Sequence, residues 1–231
     1  LAESLGNERC LAASLQFRGM VGMWRGSLGD ALADFDKAAE IAAERGDLLR
    51  LYTLFGHRGF ALAAARRYDE AMAAFKSALD MATRLNTKTF RPLFMAWRAE
   101  ASFELGRHED ALHGGREACQ MAAASNQTWA RSVALRTLAR VLAHPEVRDL
   151  SGAERSIRSA LADQEGLGIK FETARSMVVQ AKIMRSAGQT RQSSAVYNEA
   201  SKLFQQMQMT SEFDSASHMA EALRPGGDTS A

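Results

Sequence analysis

Residues 59–78 read Gly59-Phe-Ala-Leu-Ala-Ala-Ala-Arg-Arg-Tyr-Asp-Glu-Ala-Met-Ala-Ala-Phe-Lys-Ser-Ala78. Small residues stand at Gly59, Ala71 and Ala78, and an aromatic residue stands at Phe75. The pattern predicts a helix, a tight turn and a second helix, because small side chains at these positions let the two backbones approach closely.

The same pattern recurs at an interval of 40 residues. The upstream and downstream copies are Gly19, Ala31, Phe35 and Ala38, and Ala99, Ala111, Gly115 and Ala118. A fixed period between about 20 and 50 residues is typical of a stacked helical array. The sequence therefore predicts an all-α solenoid of antiparallel helix pairs.

Composition excludes several classes of partner. Lys and Arg total 29 against 27 Asp and Glu, so no overall field favours nucleic acid or an acidic membrane. No run approaches the ~18–20 apolar residues of a spanning helix, and the start lacks the pattern of a secretory signal. Cys10 and Cys119 fall in different repeats, and we interpret both as small helix-packing residues of a reducing compartment. We expect a cytoplasmic protein with no membrane or nucleic-acid partner.

Turn and capping residues predict the helix boundaries. The first and second helices of the first three pairs are expected at about 8–25, 48–65 and 89–105, and at 29–45, 69–85 and 109–124. Asn7, Asp47 and Thr87 recur as N-cap types, while Pro92 shifts the third start to about Thr89.

Two glycines stand in the middle of predicted helices. Gly19 and Gly59 each cost about 1 kcal/mol relative to alanine there. We therefore expect the partner helix of each pair to cross at these positions.

The later repeats contain one irregular turn. Pro145 is expected to end the fourth first helix, and Ser151 with Glu154 is interpreted as a capping box for the helix that follows. The fifth pair returns to register, and a segment from Ser211 to Leu223 is expected to cap the last apolar face.

The ends of the sequence suggest a piece of a longer protein. Leu1–Asn7 matches the helix end at Ile41–Asp47, so residues 1–6 are interpreted as the end of a preceding repeat. Residues 7–223 are then one solenoid of five helix pairs plus a capping helix, and residues 224–231 are expected to be a disordered tail.

The order of small residue, Gly, Ala, aromatic and Ala resembles the tetratricopeptide (TPR) signature. The first repeat matches it at Gly19, Gly26, Ala31, Phe35 and Ala38. The resemblance spans nearly the whole chain and implies a right-handed superhelical solenoid. The period of about 40 rather than 34 is similar to the C-terminal arrays of bacterial signalling ATPases and class III nucleotide cyclases. No ATPase or cyclase motif occurs in these residues.

In TPR arrays the first helix of each pair lines the concave face, which implies a partner-binding site here. The predicted site residues are Gln16, Met20, Met23, Trp24, Phe60, Trp97, Glu100, Phe103, Arg136, Arg140, Arg175, Lys182 and Arg185. One end is apolar and rich in Met, and the other is basic, which favours a partner with an apolar anchor and an acidic portion. In the alternative interpretation Met20, Met23 and Phe60 are core, and the arginines are a solvated face.

Nothing in the sequence predicts catalysis. The five histidines lack the i, i+4 spacing of metal ligands, and no glycine-rich phosphate loop follows a strand pattern. We therefore expect no catalytic residues, metal or cofactor. The leading hypothesis is a protein–protein interaction or scaffold module of a larger signalling or regulatory protein. The alternatives are a small-ligand sensor or an oligomerisation domain, such as a homodimer, regulating an upstream cyclase or ATPase domain.

Overall fold

The computed structural model describes residues 8–223, except for the side chains of 210 and 211. Within that range the chain forms α-helices and no β-strand. The helices are α1 (Glu8–Arg25), α2 (Leu28–Glu44), α3 (Leu48–Ala64), α4 (Tyr68–Arg84), α5 (Arg91–Glu104), α6 (His108–Ala124), α7 (Thr128–Leu142), α8 (Leu150–Leu167), α9 (Lys170–Ser186), α10 (Thr190–Gln206) and α11 (Thr210–Ala222). The all-α prediction is confirmed. The predictions for residues 1–6, the Asn7 cap and residues 224–231 lie outside the described residues.

The chain divides within α6 into two compact units, Leu1–Glu117 and Ala118–Ala231. In the first unit α1 to α5 each pack on the next helix, and α1 also contacts α3 while α3 contacts α5. In the second unit α7 to α11 pack in the same sequential way, and α7 contacts α9. Since the loops are short, successive helices are antiparallel, and the first helices of the pairs lie side by side.

Helix boundaries follow the repeat period closely. All six helices predicted through residue 124 agree with the structure to within two residues at each end. The last predicted helix, from Ser211 to Leu223, is shifted by one residue at each end. The boundaries could be predicted because the turn residues recur with the period, and each repeat then supplies the same local signals.

The mid-helix glycines mark helix crossings, as predicted. A Cβ atom added to Gly19 would lie 2.7 Å from the Phe35 ring, and one added to Gly59 would lie 2.7 Å from the Phe75 ring. Phe35 and Phe75 are both fully buried. In these two pairs the aromatic residue of the second helix therefore fills the space left by the missing side chain on the first helix.

The predicted cap of α5 is wrong. α5 begins at Arg91 rather than Thr89, and its N-cap is Phe90, which adopts a left-handed conformation with φ of 58°. Thr87 instead accepts a hydrogen bond at its Oγ1 from the Thr89 amide (3.3 Å), which shapes the turn before the helix. Pro92 lies in the first turn of α5, where its missing N–H leaves no bond unmade.

The predicted capping box of α8 is also wrong. Its N-cap is Asp149, whose Oδ1 accepts from the Gly152 amide at 2.8 Å. A Cβ at Gly152 would lie 2.2 Å from the Asp149 carboxylate, so the glycine makes room for this cap. Ser151 falls inside the helix, and its hydroxyl accepts from Arg155. α7 ends at Leu142, ahead of Pro145 as expected.

The cap of α3 matches its prediction and supplies a test. Asp47 accepts at Oδ1 from the Arg50 amide at 3.0 Å. We expect Asp47→Ala to lower the free energy of unfolding by about 1 kcal/mol in urea denaturation, because an orphan amide of the first turn loses its acceptor. Asp47→Asn retains an acceptor and is expected to recover most of that loss. Equal destabilisation by both variants would contradict this role.

The two cysteines, both predicted to be helix-packing residues, differ in burial. Cys10 is exposed on α1, so its interpretation as a helix-packing residue is wrong, while Cys119 is half-buried and burial raises its pKa to about 11. Among residues 8–223 we find no helix long and apolar enough to cross a bilayer.

Candidate functional site

Three aromatic side chains form a row across the first helices of the first unit. The ring centroids of Trp24 and Phe60 lie 5.0 Å apart, those of Phe60 and Trp97 lie 4.6 Å apart, and those of Trp24 and Trp97 lie 6.4 Å apart. Phe60 is 8% exposed and Trp97 is 1% exposed, whereas Trp24 is half-buried. Of this aromatic row (Trp24, Phe60, Trp97), therefore, only Trp24 presents substantial surface to solvent.

His57 is part of the core behind that row. Its ring centroid lies 5.6 Å from that of Phe94 and 6.1 Å from that of Trp97. Its Nδ1 is 2.7 Å from the Thr53 carbonyl oxygen, and burial lowers its pKa to about 4. The imidazole is therefore neutral near pH 7 and serves packing rather than partner binding.

A polar contact joins α1 to α3 at the other end of this face. Gln16 donates from Nε2 to Thr53 Oγ1 at 2.9 Å and accepts at Oε1 from Arg50 Nη1 at 3.1 Å. A similar hydrogen bond links α3 to the turn before α5, because the Tyr52 hydroxyl donates to the Thr89 carbonyl oxygen. Gln16 therefore holds neighbouring first helices together, although it was predicted as a partner contact.

The remaining predicted residues of the first unit divide by burial. Met23 is only 2% exposed and belongs to the core. Met20, Glu100 and Phe103 are half-buried, and the Phe103 ring lies against His108 with centroids 5.4 Å apart. We call Met20 and Trp24 the apolar patch.

In the second unit Arg136, a predicted residue of the basic end of the site, is buried in the interior. Its side chain is 3% exposed and forms an ion pair with Glu172, which is fully buried. Trp129 adds a hydrogen bond from Nε1 to Glu172 Oε1 at 3.4 Å. Because its charge is balanced inside the protein, Arg136 does not form part of a solvated basic surface.

Sequence reasoning missed Glu172 and Trp129. A signal for Glu172 was present, because it follows Arg136 by 36 residues. Comparable offsets join other neighbouring first helices, such as 37 residues between Gln16 and Thr53. Opposite charges at this offset on adjacent first helices are candidates for lateral ion pairs.

Arg175 also has an internal partner. Its Nη2 lies 3.2 Å from Glu212 Oε1, which joins α9 to α11 across 37 residues. Arg140 is half-buried, and Lys182 and Arg185 are exposed. We call Arg140, Lys182 and Arg185 the basic patch, and within it Arg140 and Lys182 hold the register position that Met20 holds in α1.

Helix pairs of this kind, with small residues at each crossing and first helices side by side, define a TPR-like helical-repeat fold. The sequence matches no protein-family model and no curated protein. Solved structures do resemble it. A Rap protein complexed with competence and sporulation factor superposes with a TM-score of 0.73 at 16% identity, covering 91% of this chain and 56% of that one. The chain thus spans little more than half the length of that Rap protein.

Other similar structures have the same architecture. The apo form of RapI has a TM-score of 0.63 at 13% identity, covering 92% of this chain and 82% of that one. TPR-like repeats of a putative kinesin light chain from Podosopora anserina have a TM-score of 0.58 at 14% identity, covering 85% of this chain and 95% of that one. At such identities the similarity establishes the fold, and the TPR-like prediction is confirmed.

Proposed function

We propose that this chain is a non-enzymatic protein–protein interaction module that binds a peptide or partner segment on the exposed face of its first helices. The observation that carries the proposal is the half-buried Trp24, held by the buried rings of Phe60 and Trp97. A rigid aromatic side chain with an exposed edge is a typical anchor at interfaces, because little conformational entropy is lost when it binds. The structural similarity to a Rap protein complexed with another factor supports this use of the fold.

The partner we propose carries an apolar anchor, which contacts the first unit, and an acidic portion, which contacts the second unit. Met20 beside Trp24 offers an adaptable apolar contact, since its thioether chain can adjust to the shape of the bound residue. Arg140, Lys182 and Arg185 offer cationic groups for carboxylates. Arg136 and Arg175 are left out of this second contact because only 3% and 21% of their side chains are exposed.

The test uses peptides selected from a random display library against the whole chain and then synthesised. We expect enrichment of two kinds of sequence: those with Leu, Phe or Trp for the apolar patch of the first unit, and those rich in Asp or Glu for the basic patch of the second unit. Trp24→Ala is expected to weaken the selected apolar peptides about tenfold, in line with the loss of an aromatic anchor. Fluorescence anisotropy titrations measure the affinity.

The charge contact is tested in the same titrations. Lys182→Glu combined with Arg185→Glu is expected to weaken acidic peptides several-fold and to reduce their salt dependence. Lys76→Glu is the matched control, because Lys76 is an exposed cation on α4, a second helix. Peptides that bind all of these variants as tightly as the parent chain would contradict the proposed face.

The wider context is also part of the proposal. The repeat of about 40 residues suggests a signalling or regulatory array of the long-repeat type, acting in the cytoplasm on an ATPase or cyclase domain of the same polypeptide. Expression of the longer polypeptide and measurement of its nucleotide turnover with and without this array would test that role.

A further inference from the structure

α1 exposes two large apolar side chains one turn apart. Phe17 is 66% exposed and Val21 is 52% exposed. Residues at i and i+4 lie on the same side of a helix, so the two form one stripe, which we call the Phe17 stripe (Phe17, Val21). Single exposed apolar residues are ordinary, but this pair occupies a position that other first helices bury.

The repeat register identifies the counterparts of the stripe. The residues that follow Phe17 and Val21 by 40 and by 80 positions are their counterparts in α3 and α5. Those that follow by 162 positions, the interval between Gly19 and Ala181, are their counterparts in α9. These counterparts, with their exposed fractions, are His57 (3%) and Ala61 (0%), Trp97 (1%) and Ala101 (1%), and Val179 (6%) and Ile183 (1%). Among these four first helices, therefore, only α1 exposes the side chains at the two positions of the Phe17 stripe.

In α3 and α9 the second helix of the preceding pair covers these positions. In the first unit Phe35 of α2 lies with its ring centroid 6.3 Å from that of His57 in α3. In the second unit Ile157 of α8 shares a buried cluster with Val179 and Ile183 of α9. Phe35 and Ile157 occupy the same place in the repeat, four residues after the small residues Ala31 and Ala153.

An ion pair marks the same interface in α3. Arg58, the neighbour of His57, pairs with Asp36 of α2 through Nε and Oδ1 at 2.6 Å. Its counterpart in α1 is Arg18, which pairs instead with Asp34 of the helix that follows. In α1 this arginine is therefore engaged by the following helix, so the apolar stripe is the feature of α1 that matches the covered positions of α3 and α9.

We propose that the Phe17 stripe is the docking face for one further helix of the second-helix type, joined to the polypeptide ahead of Leu1. That helix would carry a large apolar residue at the place of Phe35 and small residues at the places of Ala31 and Ala38. The sequence of residues 1–7 supports this source, because Leu1–Asn7 repeats the pattern of Ile41–Asp47 at the end of α2. The proposal does not depend on the proposed function, since it concerns the end of the array rather than its partner face.

The experiment builds the proposed helix from the protein's own repeat. A copy of residues 27–40 is placed directly ahead of Leu1, so that the copied Glu40 precedes Leu1 as the native Glu40 precedes Ile41. We expect the midpoint of thermal unfolding to rise by roughly 3–8 °C, because two exposed apolar side chains become buried. Binding of the dye ANS to the chain is expected to fall.

Matched variants separate docking from a general effect of the extension. A graft of the same length, with its copy of Phe35 replaced by aspartate, is expected to give no rise. Phe17→Asp is expected to abolish the rise in the extended chain but to leave the midpoint of the unextended chain nearly unchanged, because Phe17 is exposed there. Leu167→Asp, at another exposed apolar residue, is expected to leave the rise intact.

Two results would overturn the proposal. One is the absence of a rise with the native graft, or a rise that survives Phe17→Asp or appears equally with the aspartate graft. The other is a concentration-dependent dimer of the unextended chain that Phe17→Asp converts to a monomer, because the stripe would then be an interface between two copies. Light scattering of both chains measures the mass.

Discussion

Replacing Glu172 with alanine is expected to lower the free energy of unfolding by about 3–5 kcal/mol. Glu172 is fully buried, and its carboxylate faces the 3%-exposed guanidinium of Arg136. Without the carboxylate, a cation stays in a low-dielectric interior with less compensation, and the Trp129 Nε1 donor loses its acceptor. Urea denaturation followed by circular dichroism measures the change.

The paired variant distinguishes a lost contact from an uncompensated charge. Arg136→Met combined with Glu172→Leu removes both charges and keeps apolar volume, so we expect it to recover most of the stability. Lys76→Ala, which breaks the exposed pair with Asp80, is expected to produce no measurable change. If the double variant is as unstable as Glu172→Ala, the loss arises from packing and the electrostatic explanation is wrong.

The fold could be predicted because its determinants are local and periodic. Gly19 and Gly59 are visible in the sequence as helix-breaking residues in helical segments, and the structure places Phe35 and Phe75 over them. The two wrong caps depend on loop conformations that sequence spacing does not reveal. Phe90 adopts positive φ, and Asp149 competes with Ser151 for the start of α8.

The candidate site could be predicted only in part. The register correctly assigned residues to first helices, but the depth of each side chain depends on contacts made one repeat away. Phe60 and Trp97 are buried because aromatic residues in adjacent first helices pack against one another. Arg136 is buried because Glu172 lies on the next first helix. Burial of a charge is decided by such a partner, and no single repeat contains both members of the pair.

Gly56→Ala is expected to lower the free energy of unfolding by about 2 kcal/mol net. A Cβ at Gly56 would lie 2.2 Å from Cε2 and Cζ of Phe94, the ring on the neighbouring first helix α5. Overpacking of this kind costs about 1–3 kcal/mol or more, while alanine in a helix returns about 1 kcal/mol relative to glycine. We expect the cost of overpacking to exceed the gain in helix propensity, because the Phe94 ring is fully buried and has no open space to turn into.

Gly22→Ala is the matched control, since its Cβ would meet Ala31 at an ordinary 3.5 Å. We expect that variant to be neutral or stabilising by up to about 1 kcal/mol. Phe94→Leu should relieve the clash, so the combined Gly56→Ala and Phe94→Leu variant should lose less stability than the two single changes add up to. Strict additivity would contradict the close approach.

The same substitution connects packing to the proposed binding face. The Phe94 ring lies 5.7 Å from that of Trp97, and Trp97 supports Phe60 and Trp24 in turn. Displacing Phe94 is therefore expected to shift the aromatic row and weaken peptides that use Trp24 as their contact, although Gly56 itself is buried. Gly22→Ala leaves that row in place and should not change their affinity. A loss of affinity in Gly56→Ala alone, at a temperature where both variants are folded, would show that the close packing of α3 on α5 determines the position of the exposed anchor.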